Sequence, residues 1–97
     1  MDFEWDEAKN RANIRKHGLD FRDAAQVFDG AMLVEPDIRA DYGEERWLGM
    51  GLVRGRVVLM VFTHPRPDTI RIISFRRAKR NERIKYEEQV TYGLGES

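Results

Sequence analysis

The sequence predicts a single α+β domain in which a small antiparallel sheet packs against N-terminal helices and one C-terminal helix. A chain of 97 residues fits one domain. Helical periodicity is confined to the two ends of the chain, and apolar strands joined by short turns occupy its middle. The resulting order, β-α-α-β-β-β-β-α, is typical of the α+β class. We assign residues 1–92 to the domain and 93–97 to a flexible tail.

The first helix is predicted over residues 7–17, after a short alternating strand at DFEW. Asp6 is its N-cap, because a carboxylate at this position can accept a free N–H of the first turn. Gly18 suits the left-handed conformation in which helices end. The apolar face is weak, and we expect it to consist of Ala8, Ala12 and Ile14.

The second helix has the clearest apolar periodicity. Asp20 is its predicted N-cap, Leu19 can pack onto Ala24, and Gly30 ends it. Apolar residues then fall at positions i, i+3, i+4 and i+7, which places them on one helix face. These residues are Phe21, Ala24, Ala25 and Phe28.

Strands fill the middle of the chain. They are predicted at residues 31–35, 46–53, 56–63 and 69–76. The two-residue Arg54-Gly55 connection predicts a β-hairpin. The run 57–62 is apolar on both faces, so we place it at the centre of the sheet. Residues 64–68 are predicted as a loop because they contain two prolines.

The last strand and the last helix complete the fold. Simple alternation along the last strand places Ile70, Ile72 and Ser74 on one face, and Arg71, Ile73 and Phe75 on the other. The final helix is predicted over residues 78–91.

Composition excludes several kinds of site. The absence of cysteine excludes disulfides and thiolate metal sites, and the two histidines are 47 positions apart. We therefore predict no metal and no cofactor. The acidic N-terminus does not resemble a signal peptide, and no apolar run approaches the roughly 20 residues that a membrane span needs. These features favour a cytoplasmic protein that does not contact a membrane.

The zero net charge conceals a strongly basic segment. Residues 54–85 carry ten Lys or Arg and two acidic residues, a net charge of +8. Six cations fall within residues 76–85, namely Arg76, Arg77, Lys79, Arg80, Arg83 and Lys85. Four of them are arginines, whose guanidinium can bind phosphate through two parallel N–H bonds. The alternative interpretation is a solvated helix whose cations pair with neighbouring glutamates.

His17 is the natural candidate for proton transfer, since the ordinary pKa of histidine is close to neutrality. Neighbouring Lys16 would favour the neutral form that can act as a base. The alternative role is that of a helix-terminal histidine that complements the helix dipole.

Three stretches together resemble the BrnT family of toxins from bacterial type II toxin–antitoxin pairs. They are FEWDEAKNRANIRKHGLDFRDAAQVF (3–28), ERWLGMG (45–51) and RIISFRRAKRNERIKYEE (71–88). The resemblance implies a RelE-like fold and an endoribonuclease that arrests growth by cutting RNA. It also implies a BrnA-like antitoxin that forms a 2:2 heterotetramer with the toxin. The resemblance further implies that this complex represses its own operon and that DNA is contacted only through the antitoxin.

RNA cleavage without a metal uses the 2′-hydroxyl as nucleophile and needs a base, an acid and cations for the phosphorane. The expected catalytic residues are Arg76, Arg77, His17, Arg46 and Lys16. The expected RNA-binding residues are Arg80, Lys79, Lys9 and Tyr86. Two other functions remain open from sequence: a non-catalytic module that binds nucleic acid, and an adaptor whose arginines pair with an acidic partner protein.

Overall fold

The computed structural model describes the backbone of residues 1–95 and the side chains of residues 1–91. Its elements are β1 (Asp2–Glu4), α1 (Glu7–His17), a 3₁₀ turn (Phe21–Asp23), α2 (Ala24–Asp29), β2 (Leu33–Pro36), β3 (Trp47–Val53), β4 (Arg56–Arg66), β5 (Thr69–Arg77) and α3 (Arg80–Gly95). The predicted α+β class and element order are confirmed. The predicted tail at 93–97 falls partly within α3, and residues 96–97 lie outside the described residues.

The five strands form one sheet in the order β1-β5-β4-β3-β2. The apolar run of β4 therefore lies at the centre, as predicted. Neighbours from β2 to β5 are antiparallel, whereas β1 joins β5 in parallel and makes one edge of the sheet mixed. Since β1 pairs only with residues 69–71, the remainder of β5 has an edge without a strand neighbour among the described residues 1–95.

The predicted helix caps are confirmed. The Asp6 carboxylate accepts the N–H of Lys9 at 3.1 Å, and Gly18 ends α1 with a φ of 71°. The Asp20 carboxylate accepts the N–H of Arg22 at 3.0 Å. Asp20 caps the 3₁₀ turn, and α2 continues from that turn.

The packing of α1 differs from its prediction. The expected apolar face is exposed, and Ile14 keeps 39% of its surface accessible. The buried residues of α1 are Asn10 and Asn13. Asn13 donates to the carbonyl of Phe75 at 2.7 Å and accepts its N–H at 3.2 Å, so an amide side chain occupies the open edge of β5. A third bond, from Asn13 to the Leu19 carbonyl at 2.9 Å, fixes the turn after α1.

Asn10, one turn earlier in α1, also forms hydrogen bonds to residues outside its own helix. Its amide oxygen accepts the N–H of Phe21 at 2.9 Å, and its amide nitrogen donates to Asp20 at 3.0 Å. The side chain is 1% exposed. A buried amide with satisfied partners orders the chain around it, because leaving any of those partners unpaired would be costly.

A β-bulge at Ile73 corrects the predicted alternation of β5. Val61 pairs with Ser74 and Phe62 pairs with Ile72, so β5 contains one extra residue between them. Beyond the bulge every side chain changes face. Phe75 consequently joins Ile70 and Ile72 in the main core.

The predicted loop at 64–68 is partly wrong, because β4 continues to Arg66. A second register shift falls between Thr63 and Arg66, and Pro65 lies within it. Bulges tolerate proline, since a residue that has left the ladder does not need to donate a hydrogen bond.

Apolar side chains cover both faces of the sheet and form a larger cluster on one face than on the other. The main core joins α2 and the 3₁₀ turn to one face and includes Phe21, Val27, Met60 and Phe75. The opposite face carries a smaller cluster to which α3 contributes Tyr86. Met50, Val57 and Leu59 complete that cluster.

Candidate active site

Arg76 and Arg77 leave the end of β5 toward opposite faces, as the sequence predicts. Arg76 pairs with Leu59, a residue of the cluster beneath α3, and Arg77 pairs with Val58 of the main core. Because directly opposed residues share a face of the sheet, Arg76 lies on the α3 face and Arg77 on the other. The bulge at Ile73 determines this assignment.

Arg76 is held by Glu82 of α3. Its two terminal nitrogens donate to the two carboxylate oxygens at 2.8 and 2.9 Å, which is the bidentate geometry of strong Arg–carboxylate pairs. The Arg76 side chain is 26% exposed. Arg76 therefore forms a pair with a neighbouring glutamate, which is the alternative to phosphate binding that the sequence left open.

Glu82 also caps α3. Its carboxylate accepts the backbone N–H of Lys79 at 2.7 Å, so the third helical residue reaches back to the N-cap position. The hydrogen bond from Arg76 is the main cause that lowers the pKa of Glu82, followed by the Lys79 N–H and the charges of both residues, against an opposing effect of burial. One carboxylate therefore joins the start of α3 to the end of β5.

Arg77 is exposed on the other face. Among the described side chains it has no ion-pair partner, in contrast to Arg76. Two neighbouring depressions share it as a lining residue, together with Arg56 of β4. Its charge is available to an external anion.

His17 ends α1 and is partly buried. It lines a groove between α1 and the open edge of β5, together with Lys9, Lys16 and Ser74. Burial lowers the pKa of His17 below its ordinary value, and the charges of Lys16 and Arg76 lower it further. The imidazole is therefore neutral at physiological pH and can accept a proton. The structure thus places Lys9 and Lys16 in the groove with His17. Arg76 lies outside that groove, but its charge acts on the His17 imidazole.

Arg46 lies elsewhere. The neighbouring residue Trp47 pairs with Phe62, near the opposite end of β4 from the partner of Arg77. The Arg46 guanidinium lies 4.1 Å from the centre of the Tyr42 ring and 3.4 Å from Glu44. The structure does not bring this arginine to the end of β5, and its expected catalytic role stays a prediction.

Tyr86 is also placed differently from the expectation. Its side chain is 2% exposed, and its hydroxyl donates to the carbonyl of Ala31 at 2.7 Å. Burial raises the pKa of this phenol. Tyr86 packs α3 onto the sheet, and the surface that RNA would need is not accessible.

The remaining expected RNA-binding residues are exposed. Lys79 and Arg80 lie at the start of α3, close to Arg76, and Lys9 lines the groove with His17. Within the part of the chain that the structure describes, no three His, Asp or Glu side chains are grouped so that they could hold a metal ion. No described helix combines the length and hydropathy of a membrane span.

Sequence reasoning missed Arg54 and Arg56. Both belong to the β3–β4 hairpin, 21 or more positions before Arg77, and the strand register brings them to the same end of the sheet. The signal was present in the R-G-R turn, because a two-residue hairpin fixes which residues flank it. The turn alone does not show that Arg77 lies beside these arginines, because that depends on the pairing of β4 with β5.

An α+β domain with arginines at one end of its sheet and a histidine beside them carries side chains that can bind a phosphodiester and transfer a proton. Over residues 5–82 the chain matches the family described as ribonuclease toxin, BrnT, of type II toxin–antitoxin systems. The chain belongs to this family.

A solved structure supports the assignment. The fold is similar to the crystal structure of the Brucella abortus ribonuclease toxin BrnT, with a TM-score of 0.68 and 33% sequence identity. The match covers 82% of this chain and 99% of that one. None of the curated proteins compared with the chain matches it.

Proposed function

We propose that this protein is a metal-independent endoribonuclease that uses the 2′-hydroxyl of RNA as its nucleophile. Membership of a ribonuclease toxin family supports RNA as the substrate. The observation that carries the mechanism is His17, a partly buried histidine whose pKa is lowered and whose neighbours Lys16 and Arg76 are cationic. Such a group combines a base with the positive charge that a phosphorane requires.

In the proposed reaction, His17 removes the proton of the 2′-hydroxyl. The resulting oxygen attacks the adjacent phosphorus, and the bond from phosphorus to the 5′-oxygen breaks. The products are a 2′,3′-cyclic phosphate and a 5′-hydroxyl, which takes up one proton. The reaction is balanced without an added oxidant, reductant or metal.

The arginines have different parts in this proposal. Arg77 has no described ion-pair partner, and its guanidinium binds a phosphate of the RNA backbone directly. Arg76 is held by Glu82 and acts on the site through its fixed charge, which adds to the effects of burial and of Lys16 in lowering the pKa of His17. Lys9 and Lys16 attract the RNA backbone along the groove beside α1.

The mechanism is tested with a labelled RNA in EDTA. Cleavage persists in EDTA, produces a 2′,3′-cyclic phosphate and fails when the nucleotide before the cut is 2′-deoxy. His17→Ala reduces kcat by about 10²- to 10⁴-fold, the contribution expected of a general base. The matched control is His64→Ala, since His64 is an exposed histidine on β4. Cleavage that depends on added divalent ions, or that survives the 2′-deoxy substitution, would refute the mechanism.

The pH dependence gives a second test. Because the pKa of His17 lies below the ordinary histidine value of 6.5, the rate should rise with pH and the midpoint of that rise should lie on the acidic side of 6.5. The rising limb should disappear in His17→Ala. A midpoint above pH 6.5 would assign the base to another group.

We also propose that a BrnA-like antitoxin inhibits the protein in a 2:2 complex that represses its own operon. The family is one of type II systems, in which the toxin has a protein antitoxin. Coexpression followed by light scattering measures the mass of the complex. Operator DNA should be retarded by the complex and not by the toxin alone, and a 1:1 mass or DNA binding by the free toxin would contradict this assembly.

A non-catalytic RNA-binding role is the second candidate function. The ion pair between Arg76 and Glu82 favours it, because it neutralises one of the two strand-end arginines. Binding of RNA without any cleavage, in EDTA and in Mg²⁺ alike, would establish this alternative.

A further inference from the structure

A second basic surface lies at the end of the sheet, separate from the groove that contains His17. The β3–β4 hairpin turn, the end of β5 and α3 contribute its four arginines, Arg54, Arg56, Arg77 and Arg83. Arg77 pairs with Val58, so Arg56 is its diagonal neighbour across the two strands, at a Cα separation of about 7–8 Å. We call this set the hairpin-end surface.

The two inner arginines of this surface have no ion-pair partner among the described side chains. Arg54 pairs with Asp23 at 3.3 Å, and Arg83 lies 3.9 Å from Glu87. Neither Arg56 nor Arg77 forms such a pair. Two adjacent guanidinium groups without a carboxylate repel each other, and an external anion relieves that repulsion.

Arg56 and Arg77 separate two depressions of about 340 Å³ each. Apolar side chains line both of them: Leu19 and Val58 the first, Val57 and Ala78 the second. Both depressions therefore combine an apolar surface with a shared rim of positive charge. Such a shape suits a flexible polyanion that bends over the rim and places one nucleotide on either side.

The backbone of the turn supports a role for charge at this position. Arg54 has a φ of 50°, in a two-residue turn where Asn, Asp or Gly is favoured. An arginine in this conformation goes against the local preference, and strained backbone of this kind is concentrated at functional positions.

We infer that the hairpin-end surface binds two successive nucleotides of single-stranded RNA, with Arg56 and Arg77 contacting the phosphate between them. The inference rests on the proposed ribonuclease function. Gly18, the residue after His17, lines the first depression, so a strand lying there leads directly to the proposed base.

The lining of the depressions also defines how the RNA would be recognised. No aromatic side chain lines either of them in the described part of the chain, so base stacking contributes little. Binding is then dominated by phosphate contacts, which depend steeply on salt and weakly on base identity.

The test uses a 2′-O-methyl RNA oligonucleotide, which lacks the nucleophile and reports binding alone. Arg56→Ala should weaken its binding several-fold and reduce the slope of log affinity against log salt by about 0.7, the value for one phosphate contact on a single strand. In cleavage assays the same variant should raise KM and leave kcat nearly unchanged. Arg11→Ala, which removes an exposed cation of α1, is the matched control and should change neither.

Each contrary result has a defined meaning. An unchanged affinity and salt slope in Arg56→Ala would overturn the inference. So would a variant that binds RNA normally and loses its antitoxin, because the surface would then belong to the protein partner. If the wild type binds the oligonucleotide in the expected manner and cleaves no RNA, the proposed catalysis fails and the binding surface stands.

Discussion

Helices α1 and α3 both meet the end of β5, but they are held there by different kinds of contact. Two buried asparagines fix α1, and Asn13 replaces a missing strand at the open edge of β5. Tyr86 and the ion pair of Glu82 fix α3. The contrast teaches that hydrophobic periodicity can miss a helix whose main anchors are amides bonded to backbone.

The largest expected effect is that of Tyr86→Ala. The substitution removes the principal apolar anchor of α3 and should lower the free energy of unfolding by about 3–5 kcal/mol, the range for large aromatic truncations. Hydrogen exchange should show amides of α3 losing protection before those of α1. Equal loss in both helices would contradict their separate anchoring. In Tyr86→Phe only the bond to Ala31 is lost, so the cost should be about 1 kcal/mol.

Asn13→Ala tests the anchor of α1. The variant leaves the N–H and the carbonyl of Phe75 without their partner, and we expect urea denaturation to show a loss of about 2–4 kcal/mol. Asn81→Ala is the matched control, because Asn81 is exposed on α3, and it should stay within about 0.5 kcal/mol. A loss no greater than that of the control would mean that other contacts hold α1.

Glu82→Gln weakens the polar anchor of α3, and its effect depends on pH. A carboxyl whose pKa is lowered by folding stabilises the protein above its ordinary pKa of 4.5, and this contribution is lost as the pH falls through the folded-state value. The variant should therefore be less stable by about 1–2 kcal/mol at pH 7 and should approach the wild type at pH 3. Urea midpoints at both values measure this. A pH-independent difference, or an equal change in the exposed control Glu88→Gln, would refute it.

The smallest effect is expected for Ile14→Ala. Periodicity predicts Ile14 on the buried face of α1, whereas the structure leaves 39% of its surface accessible. Thermal or urea unfolding should change by less than about 0.5 kcal/mol. A loss above about 1.5 kcal/mol would show that α1 does have an apolar anchor.

Features that depend on neighbouring residues could be predicted from the sequence. The caps at Asp6 and Asp20 and the Arg54-Gly55 turn are of this kind, because each is determined within a few positions. The bulges at Ile73 and near Pro65 could not be predicted, since a bulge is defined by two strands and only their pairing reveals it.

The same distinction applies to the candidate site. Arg76, Arg77 and His17 were found because charge and residue type mark them locally. Tyr86 was expected to bind RNA because a tyrosine side chain suits RNA contact and core packing equally well. Only its hydrogen bond to the Ala31 carbonyl in the folded chain decides between the two. Arg56 was missed because its neighbour in space is 21 positions away in the chain.

The bulge at Ile73 has the character of a frameshift. It shifts the alternation of β5 by one residue and so decides which of two adjacent arginines lies on which face of the sheet. Arg76 is directed to a partner within the molecule and Arg77 to the solvent. An insertion or deletion of one residue between the apolar run and the arginines would exchange these assignments without altering the composition of the strand. The spacing of the RIISFRR segment is thus itself a constraint on how the sequence can vary.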